Sequence, residues 1–556
     1  MNLLIIENLD CANFFLNKKL DGIFLTFDNL SYEVLKSKKK KIIFPSKFLK
    51  KKKKKVIFPS EVLDEKIFIK KFNYDKQINK IITILNKKLF KDYLFYKLKN
   101  WRIFNYFYIE LKKKLDFPIY VKEVLNILIK KNNINNVFII ESHFDNLQHV
   151  LDNTFHNKVN LKKFKRKNNI NKKNELTINL RNIIINKIKE YYFIFKNKNK
   201  NFLFINFSKH DLLKYYFSPD FLNINFSVRD HIEINDMTLK DLYYINNINI
   251  SKLVHQFYIS KKFFIYIIKK KYLLFSKIKF KYKFFCFKYS TSILSIIFQQ
   301  IAKEKKIKKI IWSHGAYGFS KSFGGYKYTD HLFFKNIGHV GNQIKLRNKN
   351  IINMGYLRDT TKYKRKKFNI NKNKKTILFV QGYKVSPSNF YFGYDRKNIS
   401  NSNWAETREI LLLLKKYENK YNIIFKDAPY YENMEKLVSS YISNKIKYVY
   451  DEYSLCDLFE ISDCSILCYA STSFVQATSY KNDILIYEPD LVKKFNNNKL
   501  IKLGVYFYRD LYQAKKKLDV ICKNEKFNRK DKSELIDQFY FNNKKFKLFS
   551  NQFLNI

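Results

Sequence analysis

The residues best equipped for chemistry in this chain stand where apolar runs stop. His314 and Gly315 follow the triplet Ile310-Ile311-Trp312, which reads as a buried strand ending in a turn. An imidazole there titrates near neutrality and can take a proton from an attacking hydroxyl. The glycine behind it lets backbone approach a ligand closely. Arg358 lies just beyond the run 351–354, and its planar guanidinium suits bidentate recognition of phosphate. Gly382 closes a strand predicted at 376–380, and Lys426 closes the next at 422–425, where it supplies a point charge. Ser471, Thr472 and Ser473 open a helix after the run 464–467. Free amides, hydroxyls and the helix dipole at such a start bind phosphate. Gln476, one turn into that helix, is expected to face a nucleoside. Singly, each has a plainer reading: a histidine closing a turn, a serine capping a helix, charges solvated at a rim. Together on successive strand ends they predict a crevice for an anionic nucleotide, because open α/β sheets bind ligands beyond the carboxyl ends of their strands.

The elements that must hold these residues follow a strand–helix alternation. Strands are predicted at 3–6, 22–26 and 42–44, with a helical stretch through Phe14 and Leu16 between the first two. The third belongs to a local duplication, Ile42-Ile-Phe-Pro-Ser-Lys-Phe-Leu49 against Val56-Ile-Phe-Pro-Ser-Glu-Val-Leu63, each copy behind a lysine run. One short repeat makes no solenoid, and a solvated lysine loop is the expectation there. Residues 65–131 read as mainly helical, 137–140 as a strand, and the Lys/Asn-rich stretch 157–174 as a loop. Strands follow at 202–206 and 284–287, with an aromatic stretch between them whose pattern has no clear period. A helix with apolar Ile293, Ile296, Ile297 and Ile301 feeds the strand before His314. After strands at 331–334 and 351–354, residues 360–375 are polar and strongly basic, a linker composition. Beyond it come strands at 376–380, 422–425, 464–467 and, last, 484–487, then a basic helical tail. The fold class expected is α/β. Two Rossmann-like domains face a cleft: residues 1–359 with helical insertions, and residues 376–556.

Composition bounds the partners. A chain of 556 residues with 46% hydrophobic side chains can build more than one core. The net charge of +60 points, read directly, to nucleic acid or an anionic membrane. Yet the lysine excess travels with Asn, Ile, Phe and Tyr and with only 11 Gly, all of which an A/T-rich coding sequence would produce. Recognisable nucleic-acid modules are absent, so no specific nucleic-acid partner is expected. Cys11, Cys286, Cys456, Cys464, Cys468 and Cys522 include no Cys-x-x-Cys pair, which argues against zinc and for a reducing cytoplasm. Glu141, His143, His149 and His156 fit no familiar ligand spacing, so no metal site is expected. The N-terminus reads as a first strand instead of a signal peptide, and lysines interrupt the longest apolar stretch, 263–287. The expectation is a soluble protein, or a peripheral one at the inner face of an anionic membrane.

The order His314-Gly315, Gly355-x-x-Arg358-Asp359, strand–Gly382-Tyr383, Lys426-x-x-Pro429 and Ser471-Thr472-Ser473 with Ala477 resembles GT-B-type transferases of bacterial surface polysaccharide synthesis. It is similar to capsule and O-antigen transferases and, more distantly, to CDP-glycerol glycerophosphotransferases, over residues 290–489. The resemblance implies catalysis at His314 and donor phosphates at Ser471 to Ser473. It also implies a nucleotide-activated sugar as substrate with no other cofactor, and a glycan or lipid-linked glycan as acceptor. Two departures stand out. The usual Lys-x-His-Pro appears as Lys426-Asp427-Ala428-Pro429, without its histidine, and the usual Glu before the helix alanine is Gln476. A non-catalytic scaffold of the same fold, and a basic protein that binds nucleic acid nonspecifically, are the rival readings.

Overall fold

Strand β1 (Asn2–Ile6) is buried from Leu3 through Ile6, with leucine and isoleucine on both faces, the composition of a parallel strand covered on two sides. It pairs in parallel with β2 (Ile23–Thr26) on one side and β4 (Asn136–Ile140) on the other. β3 (Lys55–Ile57) and β5 (Asn160–Phe164) complete a five-stranded sheet of order β3-β2-β1-β4-β5. Helices α1 (Leu9–Asn17) and α2 (Asn29–Lys41) connect the first three strands. The entry to β2 passes so close to β1 that a Cβ on Gly22 would lie 2.3 Å from the Asn2 carbonyl oxygen, so only glycine fits. In this computed structural model the described residues are 1–6, 9–26, 29–41, 55–57, 62, 74–98, 101–140, 159–164, 202–205, 221–224, 250–280, 282–287, 293–312, 331–334, 351–353, 368–381, 404–427, 434–450, 452–468, 472–487, 501–508, 511–524, 531–533 and 535.

A second parallel sheet comprises β6 (Phe202–Ile205), β7 (Phe221–Ile224), β8 (Phe284–Phe287), β9 (Lys308–Trp312), β10 (His331–Phe334) and β11 (Ile351–Asn353), in the order β11-β10-β9-β8-β6-β7. Numbered within the sheet, that is a doubly wound order reversing between β6 and β8. Ahead of it in sequence run α3 (Tyr74–Lys91), 3-10 turns at Tyr93–Leu98 and Ile103–Phe107, and α4 (Tyr108–Asn132). Helix α5 (Ile250–Ser276) packs beside α3 and α6 (Ile293–Glu304), and α6 in turn lies on β8 and β9. Phe275, Phe280, Phe285 and Phe298 meet edge to face and tilted at centroid distances of 5.2–5.9 Å, closing the core beneath those helices.

The third sheet restarts at β12 (Thr376–Val380). With β13 (Asn422–Lys426), β14 (Lys447–Val449), β15 (Cys464–Leu467), β16 (Asp483–Tyr487) and β17 (Val505–Tyr508) it forms the order β14-β13-β12-β15-β16-β17. Its helices are α7 (Trp404–Lys415), α8 (Glu435–Tyr441), α9 (Leu455–Glu460), α10 (Thr472–Ala477) and α11 (Leu511–Asn524). Numbered locally this is 3-2-1-4-5-6, the dinucleotide-binding Rossmann order.

The architecture is α/β with parallel sheets throughout, as the strand–helix alternation requires. Where elements differ from expectation, the reasons are physical. The stretch at 157–174 holds a strand, β5, because an edge strand needs only Leu161 and Phe164 half-buried and can leave Lys162 and Lys163 in water. Phe164 packs at 5.2 Å from Phe14 and 6.1 Å from Phe138. The expected strand 42–44 lies outside the described residues; the strand beside β2 is β3, in the second copy of the duplicated segment. The aromatic stretch after β7 contains the 27-residue helix α5, and β17 follows the strand expected to be last.

Two compact units emerge. One comprises residues 1–73, 113–168 and 360–533, the other 74–112, 169–359 and 534–556. The division at 359/360 coincides with the start of the basic stretch. The N-terminal residues 1–359 carry two sheets, and the first of these shares a unit and a continuous hydrophobic core with the C-terminal sheet. Phe15, Phe24 and Tyr32 on the N-terminal side join Trp404, Phe379 and Leu414 in that core. A polar tie crosses it: the Trp404 indole N–H donates to Glu33 Oε1 at 2.9 Å, and Arg408 Nε lies 2.6 Å from the same oxygen.

Candidate functional site

In the C-terminal sheet the chain runs outward from β12 through β13 to β14, then returns to the other side of β12 with β15. Direction therefore reverses between β12 and β15, and the carboxyl ends at such a switch point are where open α/β sheets bind their ligands. The ends are level. Val380 pairs with Lys426 on one side and with Leu467 on the other. Beyond them come Gln381, Asp427 and Cys468, and the chain after β15 turns into α10.

Gln381 and Lys426 are locked by backbone and side-chain bonds. The Gln381 amide donates to the Lys426 carbonyl at 3.0 Å, and its side-chain Nε2 donates to Thr407 Oγ1 on α7 at 3.3 Å. Gln381 is buried, and among the described residues its Oε1 has no hydrogen-bond partner. Lys426 is 7% exposed; its ammonium donates to the Asp427 carbonyl at 3.0 Å and to the Tyr450 carbonyl. These bonds tie β13 to the turn after β14.

Asp427, next in sequence, is buried and accepts the Tyr448 hydroxyl at 2.7 Å, while that hydroxyl accepts the Met434 amide at 3.0 Å. Burial, reinforced by the Asp427 charge and hydrogen bond, pushes the Tyr448 phenol far above its ordinary pKa. It therefore stays a donor to the carboxylate and fixes the chain at the head of α8. Asp427 and Gln381 were not among the residues singled out from the sequence. The signal available was position alone, each being the first polar residue past a buried strand.

Of the predicted site residues, the sheet brings Lys426 to one flank of β12 and the start of α10 to the other. Thr472 is the first residue of α10, and Ser473 and Gln476 are half-buried on it. His314, Gly315, Arg358, Gly382 and Ser471 lie outside the described residues. His314 follows β9, whose strand is in place as expected. Among the described residues no group of three or more His, Cys, Asp or Glu stands close enough to hold a metal ion.

A parallel sheet wound in this order defines the class of Rossmann-like domains. No family model and no curated protein sequence matches the chain. Among solved structures it is distantly similar to the wall teichoic acid polymerase TagF with CDPG, at 13% identity over 67% of this chain and 94% of that one, TM-score 0.32. It is also similar to the lipopolysaccharide outer core galactosyltransferase WaaB, at 11% identity over 64% and 99%, TM-score 0.37. A UDP-GlcNAc 2-epimerase from Neisseria meningitidis bound to UDP-GlcNAc matches at 13% identity over 64% and 100%, TM-score 0.36.

Proposed function

We propose that this chain is a glycosyltransferase of GT-B type that moves a sugar, or a sugar- or polyol-phosphate unit, from a nucleotide-activated donor to a glycan or lipid-linked glycan acceptor in surface polysaccharide synthesis. The observation that carries the reading is the 3-2-1-4-5-6 order of the β12–β17 sheet, with Lys426 and the start of α10 on the two flanks of β12. In this reading the donor's phosphates lie at Ser471 to Ser473, and Gln476 faces the nucleoside. Lys426 already holds two carbonyls, so it acts on the phosphates as a fixed positive charge beneath them. Arg358 supplies the second positive charge, and Gly315 and Gly382 admit backbone close to the ligand.

His314 takes the proton of the acceptor hydroxyl as its oxygen bonds to the transferred group. The bond from that group to the donor phosphate breaks, and the nucleotide leaves with the electron pair, its charge met by Lys426 and Arg358. The test is calorimetric titration of nucleoside diphosphates against wild type, Lys426→Ala and Ser473→Ala, with a donor-consumption assay on His314→Ala. Donor binding weakened by both binding-site changes, with turnover lost in the histidine variant, supports the reading. Equal affinity in all three proteins removes it.

A further inference from the structure

Nine large apolar side chains are exposed among the described residues, and five of them, Tyr93, Leu94, Ile259, Tyr266 and Leu274, belong to one 3-10 turn and the helix beside it. That concentration distinguishes them from apolar residues scattered singly over a surface. Polar contacts hold the turn and the residue before it against α5: Tyr258 donates to Asp92 at 2.6 Å, Lys262 pairs with Asp92 at 3.2 Å, and the Lys269 ammonium donates to the Leu94 carbonyl at 2.6 Å. Tyr93 is 84% exposed and Leu94 48%. Ile259 and Tyr266, seven residues apart, project from the same side of α5.

The charge on this face has one sign. Helix α5 contains no Asp or Glu, and each of its charged residues is lysine. Lys270, exposed, stands 4.9 Å from the centre of the Tyr266 ring, and Lys97 is exposed on the turn. Of the nearby acids, Asp92 is already bonded to Tyr258 and Lys262, and Glu304 on α6 accepts from Tyr272 of α5 and from Gln300. Aromatic and branched side chains interleaved with lysines on a surface helix match the two-layered chemistry of a bilayer interface. The rings and aliphatic groups enter the headgroup boundary, and the ammonium groups meet lipid phosphates. No helix among the described residues is long and apolar enough to cross a membrane, so contact here is from one side.

We propose that the face formed by the 93–98 turn and α5 docks on an anionic bilayer. Charge complementarity selects that occupant over a neutral apolar partner, and the exposed aliphatic Leu94, Ile259 and Leu274, which offer a base no ring to stack on, select it over nucleic acid. The proposal stands apart from the transferase reading, because vesicle binding is measured without donor or turnover.

The experiment is flotation of the full chain with vesicles of phosphatidylcholine alone and of phosphatidylcholine with one-third phosphatidylglycerol. The expected result is binding to the anionic vesicles only, reduced about ten-fold in Tyr93→Ser/Ile259→Ser/Tyr266→Ser. Lys97→Gln/Lys270→Gln, which leaves every apolar side chain in place, should lose affinity by a factor of about five or more. Tyr512→Ser, at a 75% exposed aromatic on α11, should bind as wild type. Wild-type protein that ignores anionic vesicles overturns the proposal, and so does a triple variant that binds them as well as wild type. A face that proves to join two copies, shown by a wild-type dimer that the triple variant dissociates in sedimentation velocity without lipid, overturns it equally.

Discussion

Glu33 and Trp404 are 371 positions apart in sequence and 2.9 Å apart in space, carboxylate to indole N–H, inside a core common to the first and last sheets. Trp404 is fully buried at the start of α7, and Arg408, one turn on, pairs with the same carboxylate. The N-terminal sheet is thus fastened to the helix whose Thr407 holds Gln381 at the candidate crevice.

Glu33→Ala should therefore destabilise the unit holding β12–β17. It leaves an indole N–H without its acceptor and a 15% exposed Arg408 side chain paired only with the exposed Glu409 carboxylate. Breaking a buried pair on one side costs about 3 kcal/mol. Urea unfolding followed by tryptophan fluorescence measures it. An unchanged midpoint would mean that the two sheets hold together without this tie.

Lys532 gives a pH signature. It is 2% exposed, and its ammonium donates to the carbonyls of Tyr480 at 3.0 Å and Asn482 at 2.5 Å. Burial pushes its pKa down to about 8 from an ordinary 10.5, against the opposing pull of Asp483. The unfolded chain then binds more protons than the folded one between those values. This group's cost to folding is full below pH 8 and fades as pH rises toward 10.5. The stability difference between wild type and Lys532→Met should shift in favour of wild type across that window. A difference flat from pH 7 to pH 10 would refute the depressed value.

Lys426→Ala should do two things at once. Losing the ammonium strands the carbonyls of Asp427 and Tyr450, at about 1–3 kcal/mol of stability. It should also weaken nucleoside diphosphate binding by about 1.5–3 kcal/mol, as the charge beneath the phosphates goes. Thermal melts with and without nucleotide separate the two. A lower melting temperature with an undiminished ligand-induced rise assigns Lys426 to the scaffold alone.

His314→Ala should reduce turnover by about 10² to 10⁴ with donor affinity unchanged, the pattern for a lost general base. Single-turnover kinetics beside calorimetry checks it. Parallel loss of affinity and rate would reassign His314 to binding.

Periodicity and composition made the α/β class and most strand positions legible. Runs such as 376–380 and 464–467 are mainly apolar and buried on both faces, and a two-sided run between turn signals has few other solutions. The candidate site was partly legible for the same reason: strand ends are visible wherever a buried run stops, so Lys426 and the 471–473 segment stand out. An exposed edge strand such as β5 has almost no pattern to read. Helix α5 was hidden by aromatic and lysine residues around its circumference, because one side faces the core and another is exposed and apolar.

Tertiary structure alone decided which elements meet. Sequence order places the first sheet beside the second, yet its core is shared with the third, through contacts as remote as Glu33 to Trp404. It also decided that the Lys426 ammonium spends hydrogen bonds on backbone carbonyls, and that Asp427 is held by Tyr448. Side-chain type and local spacing fix what a residue can do and where a strand stops. The partners that use up its hydrogen-bonding capacity come from distant parts of the chain, and those are selected only when the sheets pack.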